Sequence, residues 1–336
     1  TSVTISGGTV TNMVIGGNML NNKSGAGSVL NDGGSHSVTI TGGVIGGIVV
    51  GGNYIQTSTA LDAGQLTQVG SSSVTVSGGT FNGSIYGASS YQSSNASKGT
   101  TFQGNVSITI DSSSNSIVFA SANSTGTTGS IFAGGHGYTT IEGNATVTFT
   151  GLGSNLEFTG YLSGASSYLK RSQIGTATTG TSSLVFNSFT GDLNADTIMM
   201  FESLTIDSNS CVSFTGENAD LSTVSTWNLT QYAADATKTT LDWTPNSGQT
   251  QTNYTWNDFT GDTLNLTMSD GADSWTVIEF TTYEHQMNGF GSNMTVVLNG
   301  EAAAWDSDLS AWTSTNYSLF VDSESSSLVM RRGTIA

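Results

Sequence analysis

Charge is the first thing this sequence lacks. Seven basic and 24 acidic residues among 336 make 9% of the chain charged, with a formal net charge of −17, where an ordinary globular chain has about 25%. Too few basic groups are present to neutralise phosphates, which excludes a general nucleic-acid binder and argues against docking on anionic lipid. Cysteine occurs once, at Cys211, so no disulfide forms within the chain. A single thiol fits a secreted bacterial protein that folds without disulfides, and a reducing cytosol fits it as well. No apolar run approaches the ~20 residues of a membrane helix, so the chain is not expected to span a membrane as helices. The opening residues, TSVTISGGTV, lack the charged-then-apolar layout of a signal peptide, and a mature form is expected.

Proline is equally scarce, with Pro245 alone. That scarcity, 36% hydrophobic content and recurrent β-branched residues oppose a disordered low-complexity chain despite 43 glycines. Helix is opposed too, because Gly costs about 1 kcal/mol per helical position relative to Ala and Ser, Thr and Val are indifferent formers. The chain reads as all-β.

What is there is a repeat. Ser2-Val-Thr-Ile-Ser-Gly-Gly-Thr-Val10 returns as Ser37-Val-Thr-Ile-Thr-Gly-Gly-Val-Ile45 and as Ser73-Val-Thr-Val-Ser-Gly-Gly-Thr-Phe81, with weaker echoes at Ser107-Ile-Thr-Ile110 and Thr146-Val-Thr-Phe149. A second segment follows at fixed offset: Val14-Ile-Gly-Gly-Asn18, Val49-Val-Gly-Gly-Asn53 and Ile85-Tyr-Gly-Ala88. Period-2 alternation puts Val3 and Ile5 on one face and Ser2, Thr4 and Ser6 on the other, and Gly7-Gly8 then turns the chain. One such unit cannot bury its apolar edge alone, so copies must stack. Stacking predicts an internal ladder of Val3, Val38, Val74, Ile108 and Val147 and an outward one of Thr4, Thr39, Thr75, Thr109 and Thr148. The expected fold is a β-solenoid, a parallel β-helix with protruding loops or hairpins. Nine or ten coils at ~4.8 Å per rung would make a rod of roughly 45 Å.

Composition changes near residue 180, in a turn-rich zone from 175 to 185. Of the glycines, 34 precede residue 181, whereas all six tryptophans (Trp227, Trp243, Trp256, Trp275, Trp305 and Trp312) follow it. Four basic residues face five acidic ones before the boundary, and three face 19 after it. Ser188-Phe-Thr-Gly-Asp192, Ser213-Phe-Thr-Gly216 and Asp258-Phe-Thr-Gly-Asp262 replace the Gly-Gly corners. Residues 1–180 therefore read as a Gly-Gly-repeat solenoid. Residues 181–336 read as an acidic, Trp-bearing β region, either continued solenoid, cap or β-sandwich.

The Ser-Val-Thr-Ile-x-Gly-Gly unit with its trailing Gly-Gly-Asn resembles bacterial surface β-strand-repeat proteins, the passenger regions of autotransporter-like adhesins. The resemblance covers about residues 1–150 well and the Phe-Thr-Gly section more loosely. It implies export, a right-handed β-helix, and work as an adhesin, stalk or fibre. The C-terminal strands are too few for an outer-membrane barrel, so a translocator is expected to be absent or cleaved.

Chemistry finds little purchase. His36 lies in a Gly-Gly-Ser-His-Ser loop, His136 in Gly-Gly-His-Gly and His285 after Tyr283-Glu284; each reads as a solvated or satisfied histidine rather than a catalytic base. Cys211 has no zinc-ligand partner. Asp258 with Asp262, or Asp306 with Asp308, could reach the carboxyl separation of a glycosidase, as could many pairs in so acidic a segment. Asp270-Gly-Ala-Asp273 offers oxygens around a turn, making Asp270 and Asp273 weak calcium candidates, beside plain solubilising charge; no other cofactor is expected. The tryptophans either pave a sugar-binding face or, as expected for most, fill the core with their indole N–H groups partnered. Ser positions break the Thr ladder as an ice-binding face, and the Asn-x-Ser/Thr sequons reflect Ser/Thr content.

The expected function is that of a non-enzymatic extracellular or cell-surface bacterial protein that self-assembles head to tail into a fibre or sheath. Terminal coil edges template another chain, and the candidate assembly residues are Val3 and Ile5 in the first strand and Leu328 and Met330 in the last. Thr1–Val10 would add to a neighbour's sheet. The rivals are a monomeric adhesin binding surface glycans through its Trp-bearing half, and a β-helix glycosidase.

Overall fold

A computed structural model describes the chain apart from residues 23–29, 58–65, 94–99, 122–127, 136–138, 165–172, 175–179, 196, 200, 202, 215–262, 270, 281–294 and 334–336. The expected protruding loops and hairpins fall largely in those segments, outside the described residues. The rest is all-β, with a single 3-10 turn at Gly153–Asn155.

Five coils follow the repeat. The first holds β1 (Ser2–Ile5), β2 (Thr9–Val10), β3 (Val14–Ile15), β4 (Met19–Asn22) and β5 (Leu30–Asp32). The second holds β6 (His36–Ile40), β7 (Val44–Ile45), β8 (Val49–Val50), β9 (Tyr54–Thr57) and β10 (Leu66–Gln68). In the third are β11 (Ser72–Val76), β12 (Gly79–Phe81), β13 (Ile85–Tyr86), β14 (Ser90–Ser93) and β15 (Thr100–Phe102). The fourth has β16 (Val106–Ser112), β17 (Ile117–Phe119), β18 (Ile131–Phe132) and β19 (Thr139–Ile141), and the fifth β20 (Ala145–Leu152), β21 (Leu156–Glu157), β22 (Tyr161–Ser163) and β23 (Gln173–Ile174). Like strands pair in parallel from coil to coil, so each coil side is a sheet running along the stack.

The ladders match the alternation. Val3 pairs with Val38, Val38 with Val74, Val74 with Ile108 and Ile108 with Val147, while the Thr column pairs outside. From the second coil on, the valine column is fully buried. Aromatic side chains repeat the same stacking inside. Phe81 and Phe119 lie at 5.0 Å in stacked rings, Phe119 meets Phe158 edge-on at 5.2 Å, and Tyr86 stacks on Phe132 at 5.2 Å. The Gly-Gly corners are steric requirements. A Cβ on Gly16 would stand 2.3 Å from Gly51 O, and one on Gly51 would stand 2.3 Å from Gly87 O, so coil backbones touch where a side chain would hold them apart.

The stack continues through the composition boundary. β24 (Ser182–Leu193) pairs with β20 and then divides: its first half pairs with β26 (Ser203–Ile206) and its second half with β27 (Cys211–Phe214), after β25 (Thr197–Met199). On one face β26 pairs with β28 (Thr263–Leu266) and β28 with β30 (Thr295–Leu298); on the other β27 pairs with β29 (Ser274–Phe280). The face that starts at β1 thus has nine parallel rungs, ending at β30, and spans roughly 38 Å at ~4.8 Å per rung. The coils are not uniform, however. The other sheets hold three to six strands, so the expectation of nine or ten coils is corrected: among the described residues three coils have all five strands, the fourth and fifth have four, and the later ones keep fewer sides.

Beyond β30 the direction alternates. β31 (Glu301–Asp306), β32 (Ala311–Thr313), β33 (Tyr317–Asp322) and β34 (Ser327–Arg332) form an antiparallel meander, and β34 pairs with β29. The meander therefore bridges the two faces, covering the outer edge of β30 with β31 and that of β29 with β34. This is a cap. It overturns the expectation that Leu328 and Met330 lie on a free terminal edge, because β34 is bonded on both sides and both side chains are 0% exposed.

Candidate functional site

The two ends of the stack differ. β1, β2, β3, β4 and β5 are the end members of five sheets, each paired on one side alone among the described residues. Val3 and Ile5 pack against the core but are only partly buried, and Met19 is 56% exposed. The backbone alternation decides which groups are free. Thr1 O and Ile5 O accept hydrogen bonds from Ser37 N and Thr41 N, at 3.0 and 2.9 Å. The odd residues of β1 thus face β6, and in a strand the N–H and C=O of Ser2 and Thr4 must point the opposite way, to the open edge.

A polar cluster ties this coil to the next. His36 is 4% exposed, and its Nε2 lies 2.6 Å from Asp32 Oδ2. Its Nδ1 lies 2.5 Å from Thr1 Oγ1, which also donates to Gly16 O. Asp32 additionally accepts from Gly34 N and from Asn18 Nδ2, both at 2.9 Å. Burial pushes the Asp32 carboxyl up, but the Gly34 N–H, the His36 ring and Asn53 outweigh it, and the net pKa lies below the ordinary aspartate value. Behind this cluster Asn53 Nδ2 donates to Gln68 Oε1 at 2.7 Å, Asn53 Oδ1 accepts from Asn18 N and Ser89 Oγ accepts from Asn53 N. The same positions turn apolar further on: the Asp32–Gln68 column continues as Phe102 and Ile141, and the His36–Ser72 column as Val106 and Ala145. Beyond Gln68 the buried polar side chains among the described residues are all serines.

Hydroxyl, imidazole and carboxylate in series have the order of a nucleophile, base and orienting group. Here the Thr1 hydroxyl is held on the Gly16 carbonyl, and its column is an interior packing position in every later coil. The arrangement serves to bind one coil to the next. A shallow groove of about 250 Å³ beside it is lined by Ser, Thr, Asn and His36 side chains.

His36 is therefore a buried, satisfied histidine. His136 and His285 lie outside the described residues, as do Trp227, Trp243, Trp256, Asp258, Asp262 and the calcium candidate Asp270. Asp273 is exposed, its carbonyl accepting from Arg332 N at 2.9 Å, while Arg332 Nε donates to Ala272 O. Among the described residues no group of three or more His, Cys, Asp or Glu side chains converges on a point. Asp306 ends β31, and its Oδ1 caps the N–H groups of Asp308 and Leu309, so this pair shapes a turn. Trp305 and Trp312 meet edge to face at 5.7 Å inside the cap. Trp312 is buried and, against expectation, its indole N–H has no partner among the described residues. Burial, with Glu279 nearby, pushes the Cys211 thiol up to about 11.

Sequence reasoning missed the Asp32–His36 pair and the Asn18–Asn53–Gln68 cluster. The signal was present as an Asp and a His four apart around Gly33-Gly34, and as Asn recurring at the same corner. No known protein family, curated protein or solved structure matches the chain.

Proposed function

We propose that this chain is a non-enzymatic structural component of a bacterial extracellular surface that self-associates by β-edge pairing at its first coil. The observation that carries this reading is the common end of five sheets on β1–β5, the longest of which is closed at its other end by the cap. Unpaired N–H and C=O groups along such an edge template further strands. The extracellular, adhesin-like setting is supported by the resemblance of the Gly-Gly repeat to autotransporter passenger regions. A raised Cys211 pKa and a histidine engaged on both ring nitrogens support the non-enzymatic part.

Light scattering and negative-stain microscopy of the purified chain at micromolar concentration test it. Particles larger than one chain, growing with concentration and inert toward mixed polysaccharides, are expected. A strict monomer at every concentration reached would sink the reading.

A further inference from the structure

We infer that the open edge of the first coil is closed by the same edge of a second copy of this chain, about a two-fold axis passing through Thr4. The inference rests on the assembly reading above and names its partner and register. The cap removes the alternative geometry for β1: with β30 and β29 both covered by the meander, the long sheet that starts at β1 offers no second open edge among the described residues to receive it head to tail. The contact left is the isologous one, the same patch on both copies. Such contact sets like charges together, and a net charge of −17 would oppose it over most of this molecule. At this end it does not, because β1–β4 carry no charged side chain, the first in the sequence being Lys23, and the Thr1 ammonium is held on Ser35 O. The charged residue of β5, Asp32, turns its carboxylate to His36 of the second coil.

A two-fold axis across the coil end runs β1 antiparallel to its copy. Directly opposed residues in an antiparallel pair share a face. An axis between two residues would set inward Val3 against outward Thr4, so the axis must pass through a residue. On Thr4, the N–H and C=O that face away from β6 exchange two hydrogen bonds with their copies, and Val3 and Ile5 each meet the other apolar residue across the pair. On Val3, only one apolar pair forms, and Thr1, already bonded to Gly16 and His36, stands against Ile5. The Thr4 register is the one that uses the whole strand.

Sedimentation of the Cys211→Ser chain over a micromolar range is expected to show a dimer and nothing larger. In that background Thr4→Cys should form a disulfide-linked dimer under mild oxidation, and Thr39→Cys, on the next rung of the same column, should not. Thr4→Pro removes an N–H that faces the open edge and leaves the bonds to β6 in place, as edge strands tolerate. It should weaken dimerisation at least tenfold while the far-ultraviolet spectrum and melting curve stay those of the parent. Filaments or longer rods would overturn the two-fold axis and leave the assembly reading standing. A monomer throughout would overturn both. A dimer indifferent to Thr4→Pro and not trapped by Thr4→Cys would place the interface elsewhere.

Discussion

His36 and Asp32 show how one pair of side chains decides the strength of a coil junction. The two Asp32 oxygens accept separately from Gly34 N and from Asn18 Nδ2 while facing the almost inaccessible His36 ring, so an amide in its place sets its NH2 against one of these donors, which costs about 1–3 kcal/mol. Asp32→Asn should therefore lower the melting temperature, with the loss concentrated in hydrogen exchange of β1 and β6. The pH dependence has a definite sign. The Asp32 carboxyl sits below its ordinary value in the folded chain, so its contribution is present above the unfolded aspartate value. It fades as pH falls through the folded one. Acid titration to below pH 3 should loosen the first coil in the parent and less so in Asp32→Asn. Cys211 makes the converse case at this scale. With its thiol pushed up to about 11, only about one molecule in a thousand is thiolate at pH 8. Alkylation of the native chain should be correspondingly slower than that of the unfolded chain; equal rates would contradict the environment described for it.

At the scale of strands, stability comes from columns rather than from single contacts. Phe119 stands between Phe81 and Phe158, and Phe119→Ala should cost about 3–5 kcal/mol by leaving a cavity in the middle of the stack. Gly51→Ala adds a Cβ 2.3 Å from the Gly87 carbonyl oxygen. Because the obstacle is backbone, the coils must separate locally, and overpacking of this kind costs about 1–3 kcal/mol. Ser2-Val-Thr-Ile was legible because period 2 in the strand and a near-constant period between coils specify the same ladder twice. The cap was less so: Leu328-Val-Met330 alternates just as a rung does, and alternation does not say whether the neighbours run parallel or antiparallel. Nor does it say whether a strand is bonded on one side or two. The polar corner around Asn53 and His36 was hidden for another reason. Burial of Asn, Asp and His depends on which partners the stacking delivers, and outside the Asp32–His36 pair these come from positions 14 to 36 residues apart.

For the whole molecule, the asymmetry of the two ends sets the size of any assembly. Repeat stacks grow wherever an end repeat lacks a partner, and a terminal unit of different style stops them. In this chain the parallel run stops at β30 and β29 because β31–β34 turn back across them, with Leu319, Leu328 and Met330 buried between the faces. Truncation after Leu298 would take away both covers at once, leaving the outer backbone groups of β30 and β29 as free as those of β1. Two open ends of the same parallel style permit the head-to-tail contact that the intact chain lacks, and heterologous contacts that do not close make filaments. The truncated chain should therefore scatter light strongly and form rods or precipitate at concentrations where the full chain stays small. Adding Thr4→Pro to the truncation should shorten those rods, since growth then relies on an edge deprived of one donor. If the truncated chain kept the size of the intact one, the meander would not be what limits growth.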